Sequence, residues 1–206
     1  ITLVGLQDKL TGTVAPLHWI FTDLSGKSLV VEQIKQGLNA YENPVGVLTN
    51  SPDFPWQMTN LRSYIGAAPE QTEQADWGGF RMEPFGQAAG TSVLPGGYTP
   101  PARFVRTAFQ KLHMVQPETM QEAVIAGFHI LEGVTLPNGV VKTANGTFDY
   151  TQYTAMIDLG QKVYYFKTYE NPQVIQVDMK PLWKSKEKVV QDLGSIQTSI
   201  FYGHLR

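Results

Sequence analysis

Apolar residues cluster first in two short runs, 17-LHWIFTDL-24 and 28-SLVVEQI-34, with Ser25-Gly26-Lys27 between them. Runs rich in β-branched and aromatic residues on either side of a glycine-containing tripeptide predict a β-hairpin. Leu38–Glu42 and Val45–Thr49 predict a second pair around Asn43-Pro44, so that four antiparallel strands follow one another. The period then changes. Trp56, Leu61, Tyr64 and Ile65 recur at helical spacing, and Pro55 suits a first helical turn. Residues 66–98 keep neither period and carry Gly66, Gly78, Gly79, Gly86, Gly90, Gly96 and Gly97. An irregular stretch of that length inside a compact domain is expected to be functional or to pack on a partner.

Helical periodicity returns at Thr99-Pro100-Pro101. Thr99 is the predicted N-cap, and proline is tolerated in a first turn. Val105, Phe109 and Leu112 mark the predicted buried face. A second helix is predicted from near Pro117-Glu118 through Ala123, Ile125, Phe128 and Leu131. Three strands close the pattern: Phe148–Leu159, Lys162–Thr168 and Gln173–Met179, turning at Gly160-Gln161 and at Glu170-Asn171-Pro172. Helices are segregated from antiparallel strands, which predicts an α+β fold with helices packed outside the sheets.

Composition narrows the class. The chain has 206 residues, 42% hydrophobic and 17% charged, ordinary values for a globular protein. A chain of this length can bury roughly 70% of the surface its unfolded form exposes, so a single domain over residues 1–206 is expected. The net charge of −2 offers no field for a nucleic-acid partner. The basic run from Lys180 to Lys188 reads as solvated surface. No segment approaches the ~18 continuous apolar residues of a membrane span, and no signal peptide is visible. Cysteine is absent, which excludes disulfides, cysteine-ligated zinc and a thiol nucleophile within these residues. The opening Ile1-Thr-Leu-Val-Gly-Leu6 reads as the inside of a strand, as if processing or truncation had removed what came before.

Few positions carry chemistry. No phosphate loop, dinucleotide fingerprint, zincin helix or nucleophile elbow is present, and no cofactor or metal is implied. His18, His113, His129 and His204 show no ligand spacing and read as structural. Asn145-Gly-Thr is formally a glycosylation sequon, but Asn-Gly is first a turn signal. Asn50 is different, because it ends an apolar run, where a scaffold presents side chains to a site. Its amide can donate to an oxyanion without bringing a charge; an Asx-turn ahead of Pro52 would account for the same residue. Arg103 and Arg106 lie early in the proline-opened helix, one turn apart. They read either as a charge directed inward or as two surface arginines.

Five ordered blocks resemble the choloylglycine hydrolases, a family that includes bile salt hydrolases and penicillin V acylases. They are 18-HWIFTDLSGKSLVVE-32, 43-NPVGVLTNSPDFPWQMTNLRSY-64, 94-LPGGYTPPARFVRTAFQK-111, 128-FHILEGVTLPNGVV-141 and 162-KVYYFKTYEN-171. The resemblance implies an N-terminal-nucleophile hydrolase with an αββα sandwich of antiparallel sheets, incomplete here because the front portion is absent. It implies cleavage of a linear amide by an amino-terminal cysteine whose own α-amine is the base. By position, Asn50 matches the family asparagine that helps form the oxyanion hole, and Arg103 the arginine beside the nucleophile. Arg106 matches no catalytic position. Gly97 departs from the pattern, standing where the family has an aspartate.

Since Ile1 has no nucleophilic side chain, this polypeptide alone is expected to be inactive. The implied partners are a small amide substrate, the missing N-terminal portion of the same enzyme, and further copies in a tetramer assembled through residues 66–98. Penicillin V and conjugated bile salts are the expected substrates, with N-acyl homoserine lactones as the alternative. A non-catalytic β-rich binding or assembly module on the same scaffold is the rival reading. Leu94–Phe104 looks closer to the Gram-negative branch, implying a periplasmic or secreted protein, with the cytoplasm as the alternative.

Overall fold

A computed structural model of the chain describes Gly12, residues 17–35 and residues 37–183. The strand expected at Ile1–Leu6, His204 and most of the basic run after Lys180 lie outside these residues. The described residues form two compact units. The first comprises those up to Pro95 together with Thr99–Ala108, and the second Gly96–Tyr98 with Phe109 onward.

The first unit is built on an antiparallel sheet of three strands, β1 (His18–Thr22), β2 (Ser28–Ile34) and β3 (Gly37–Glu42), in that order. The predicted hairpin is present: His18 faces Glu32 and Thr22 faces Ser28 across it. In β3 the inner side alternates with the outer, with Gly37, Asn39 and Tyr41 half-buried and Leu38, Ala40 and Glu42 more exposed. Val30, Val31 and Glu32 at the centre of β2 are all buried, so the sheet is covered on both faces there. The core joins Val30 to Val45, Val47, Phe54, Phe104 and Ala108. Burying side chains of this size contributes roughly 1.5–3 kcal/mol each.

Val45–Thr49 is not the fourth strand. Asn43 is buried, its Nδ2 donates to Val47 O at 3.0 Å, and its Oδ1 accepts from Gly46 N at 2.8 Å. A side-chain amide thus occupies backbone groups that a ladder would have used. Val45 and Val47 still enter the core, which is why the pattern read as a strand.

Helix α1 (Phe54–Asn60) starts two residues before the expected Trp56, because Asp53 caps it by accepting from Trp56 N. It runs on into a 3₁₀ turn, Leu61–Tyr64. Its buried face carries Phe54 and Gln57, with Met58 and Leu61 packed beside them. Trp56 and Ile65, which marked the helical spacing, are exposed. Within 66–98 a small hairpin forms from β4 (Ala75–Trp77) and β5 (Phe80–Met82). Gly90 packs so closely that an added Cβ would lie 2.1 Å from Glu70 O and 2.6 Å from Ala68 O.

Helix α2 (Pro100–His113) is capped as predicted: Thr99 O accepts from Arg103 N, and Thr99 Oγ1 accepts from Ala102 N. Its buried face is Ala102, Phe104, Val105 and Ala108, and Leu112 is exposed. Of the predicted face, Val105 is buried, and the alanines at 102 and 108 complete it.

In the second unit, α3 (Met120–Glu132) opens with a capping box between Thr119 and Glu122. It packs on β8 (Tyr153–Asp158), where a Cβ on Gly127 would meet Met156 Cε at 2.3 Å. Strand β8 pairs with β9 (Val163–Thr168), and β9 with β10 (Ile175–Asp178), all antiparallel. Phe148–Leu159 is not continuous. Phe148–Asp149 (β7) pairs with Val141–Lys142 (β6) across the Asn145-Gly146 turn. Thr151 then leaves the ladder to exchange backbone and hydroxyl hydrogen bonds with Leu136. A short helix α4 (Lys180–Trp183) follows β10.

Candidate active site

Asn50 stands where the extended segment Gly46–Thr49 leaves the core of the first unit. The turn it opens, Asn50–Pro52, contains a cis Ser51–Pro52 peptide and leads directly to the Asp53 cap of α1. Three side chains hold the turn and its flanks. Thr49 Oγ1 donates to Pro100 O at 3.3 Å, tying the preceding residue to the start of α2. Gln57 Nε2 reaches back from α1 to Asn50 O and Pro52 O, both at 3.4 Å. Glu32 Oε2 accepts from Phe54 N at 2.9 Å, so a buried carboxylate of the sheet holds the first residue of α1. The other oxygen of Glu32 lies 3.4 Å from His18 Nδ1.

Arg103 meets this turn from α2. The buried Ala102, Phe104 and Val105 around it fix the helix rotation, and Arg103 Nη2 donates to Asn50 Oδ1 at 2.7 Å. The two residues singled out in the sequence are therefore in direct contact, 53 positions apart. A guanidinium only donates, so the oxygen end of the Asn50 amide must face it. The Nδ2 end points away and can donate to an anionic oxygen. Arg106 Nη1 donates to Pro95 O at 2.7 Å, which makes neither arginine mere surface charge. Burial first, and then the positive charge of Arg106, lower the pKa of Arg103 below the usual arginine value. Arginine stays protonated in proteins despite such shifts, so the group remains a cation.

Thr49, Gln57 and Glu32 were not singled out from the sequence. For Gln57 a signal existed: Phe54, Gln57 and Leu61 fall on one helical face, which places an amide among apolar residues. Glu32 interrupts an apolar strand run, but a glutamate there also suits a solvated face.

Among the described residues no group of three His, Cys, Asp or Glu is placed to hold a metal ion, and no helix is long and apolar enough to cross a membrane. His129 lies 3.4 Å from Glu132 on the same helix. The second unit carries an open cavity of about 490 Å³ bordered by Tyr98, Thr135, Tyr153 and Tyr169, with the Lys167–Glu132 ion pair in its wall.

The alternation of antiparallel sheets and helices is that of an α+β protein with the N-terminal-nucleophile hydrolase fold. A crystal structure of a variant of conjugated bile acid hydrolase from Clostridium perfringens matches with a TM-score of 0.72 and 40% identity, over 80% of this chain and 50% of that one. Penicillin V acylase from Agrobacterium tumefaciens matches with a TM-score of 0.62 and 26% identity, over 79% and 45%. The family of linear amide C–N hydrolases, choloylglycine hydrolase family, matches residues 1–189, and the chain belongs to it. Among its relatives, the bile salt hydrolase/transferase of Clostridium perfringens is 41% identical over 176 residues, 85% of this chain and 53% of the relative. The conjugated bile acid hydrolase of Lactobacillus acidophilus is 38% identical over 166 residues, 80% and 52%. The chain spans about half the length of these curated relatives.

Proposed function

We propose that this chain supplies half of the active site of an enzyme that hydrolyses a linear, non-peptide C–N amide, with a conjugated bile salt or penicillin V as substrate. The observation that carries the reading is the 2.7 Å bond from Arg103 to Asn50 Oδ1. It holds the asparagine amide with its donor end outward, as stabilisation of a tetrahedral oxyanion requires. The nucleophile is the thiolate of an amino-terminal cysteine outside these residues, since the chain contains none. Attack on the amide carbonyl carbon moves its π electrons to oxygen, where Asn50 Nδ2 donates. Collapse expels the amine, which takes a proton from the protonated α-amine, and water then releases the acid from the thioester. The Arg103 cation favours the thiolate electrostatically.

The support for this reading is family membership, the coverage of about half of each relative, and the Asn50–Arg103 geometry. Its test is turnover of penicillin V, conjugated bile salts and N-acyl homoserine lactones. The chain alone is expected to cleave none of them. Joined to a segment that begins with cysteine, it is expected to cleave one of the first two. Turnover by the chain alone, or none by the joined enzyme, overturns the reading. Assembly into a tetramer through residues 66–98 belongs to the same proposal, with exposed Trp77, Phe80 and Phe85 supporting it. A monodisperse monomer of the intact enzyme in light scattering would count against that part.

A further inference from the structure

We propose that Gln57 is a positioning residue for the reaction: its buried amide grips the carbonyls of Asn50 and Pro52 and so sets the direction in which Asn50 presents its own amide. This rests on the proposed oxyanion role of Asn50.

Gln57 is 1% exposed, among the largest fully buried side chains described. It shares the inner face of α1 with Phe54, so its surroundings are those of a core leucine or methionine. Its Nε2 reaches two carbonyl oxygens, Asn50 O and Pro52 O, each at 3.4 Å. Carbonyl oxygens only accept, so the nitrogen end of the amide must face the turn. The other end, Oε1, receives no hydrogen bond from any described residue. A buried polar atom without a partner weakens a core, and an apolar residue of the same volume would avoid that cost. What an apolar residue cannot do is hold the turn.

The turn has need of such a group. Asn50–Pro52 belongs to no helix or strand, so no ladder takes up its carbonyls. Gln57 bridges the first and third of them across the Ser51–Pro52 peptide. Arg103 then fixes the far end of Asn50, at Oδ1. With its backbone oxygen held from α1 and its side-chain oxygen held from α2, the Asn50 side chain has one polar end that neither grips, Nδ2. Gln57 touches neither substrate nor reacting atoms, and its effect runs through Asn50. Both of its contacts are long, so the expected effect is smaller than removal of the donor itself. A displaced catalytic group loses on the order of tenfold to a hundredfold in rate.

The experiment is a double-mutant cycle in the joined enzyme, with kcat and KM measured on penicillin V and a glycine-conjugated bile salt, and Tm on each variant. Gln57→Leu is expected to lower kcat about tenfold with KM little changed and Tm unchanged or raised, since an oxyanion contact is made in the transition state. In an Asn50→Ala background the same change is expected to cost nothing further. Normal kcat in Gln57→Leu beside a crippled Asn50→Ala overturns the inference and leaves the proposed function standing. An equal loss in both backgrounds also overturns it, because Gln57 would then act by another route. Normal kcat in Asn50→Ala overturns the proposed oxyanion role, and the inference with it. Should Gln57→Leu not fold, Gln57→Met takes its place in the cycle. Loss of folding in both would make Gln57 a stability residue and sink the proposal.

Discussion

Two polar contacts, one in each unit, both join side chains far apart in sequence and differ in what stands behind them. Asn50 and Arg103 meet over 53 positions of sequence, and Lys167 and Glu132 over 35. The Lys167–Glu132 pair joins two full charges, whereas the other joins a charge and a neutral amide. Yet Glu132 is the last residue of α3, half-exposed, and shares its carboxylate between Lys167 and His129. The Asn50 turn is held by buried Gln57, its following helix by buried Glu32, and its preceding residue by Thr49. Formal charge does not distinguish a candidate site from a half-exposed ion pair; the set of buried side chains that fixes the surrounding backbone does.

If that contrast is right, the largest effect belongs to Asn50→Ala. Turnover of the joined enzyme is expected to fall roughly 10²–10³-fold, the usual cost of one oxyanion donor, with little change in Tm. A large drop in Tm with proportionate loss of activity would place Asn50 with the structural contacts. Next comes Glu32→Leu, which leaves the amide of Phe54 buried without its acceptor. A stranded buried donor costs about 1–3 kcal/mol, so chemical denaturation should show a clear loss of stability alongside the loss of turnover. An unchanged midpoint would mean that Glu32 does not hold the start of α1. Thr49→Val is smaller still. Pro100 O lies in the first turn of α2, where a helix carbonyl already has its own amide partner. Losing the Thr49 hydroxyl should therefore cost about 0.5–1.5 kcal/mol, read in the same unfolding curves.

The same contrast explains what the sequence could and could not convey. The hairpin β1–β2 was legible because its runs are long and its turn short. Helix α2 was legible from Thr99-Pro100-Pro101, yet its buried face was read only at Val105, since alanines such as 102 and 108 leave little mark in a hydrophobic pattern. Val45–Thr49 read as a strand because valines at 45 and 47 do enter the core. What denies it a ladder is the Asn43 side chain, and no periodicity reports where an amide turns. The hairpin at 75–82 is too short, three residues a side, to leave a pattern. At the candidate site, Asn50 stood out by ending an apolar run and Arg103 by its place early in α2, but only the five family blocks linked the two, because residues 53 apart show no mutual spacing. Gln57 could have been found from its place on the Phe54–Leu61 face, but Glu32 could not, because its burial is a tertiary outcome.

The smallest effect tests the other side of the contrast. The hydrogen bond from Lys167, ahead of the charge of Lys167 and the contact with His129, holds the Glu132 carboxyl below the ordinary glutamate value of 4.5. A carboxylate lowered in the folded state contributes stability above its unfolded pKa and loses it as pH falls through the folded one. In Lys167→Met the aliphatic stem is kept and the charge removed. The deficit relative to the native chain should then be present at neutral pH and shrink as the pH drops below about 4.5. Solvent screens the half-exposed pair, so the titrating part should stay within about 0–1 kcal/mol and fade in high salt. Lys167 Nζ also sits 5.4 Å from the Phe128 ring, a contact that does not titrate in this range. A deficit that persists in acid measures that ring contact, and the part that disappears measures Glu132. If the titrating part exceeded the Asn50→Ala effect in free energy, buried support would not be what separates the two contacts.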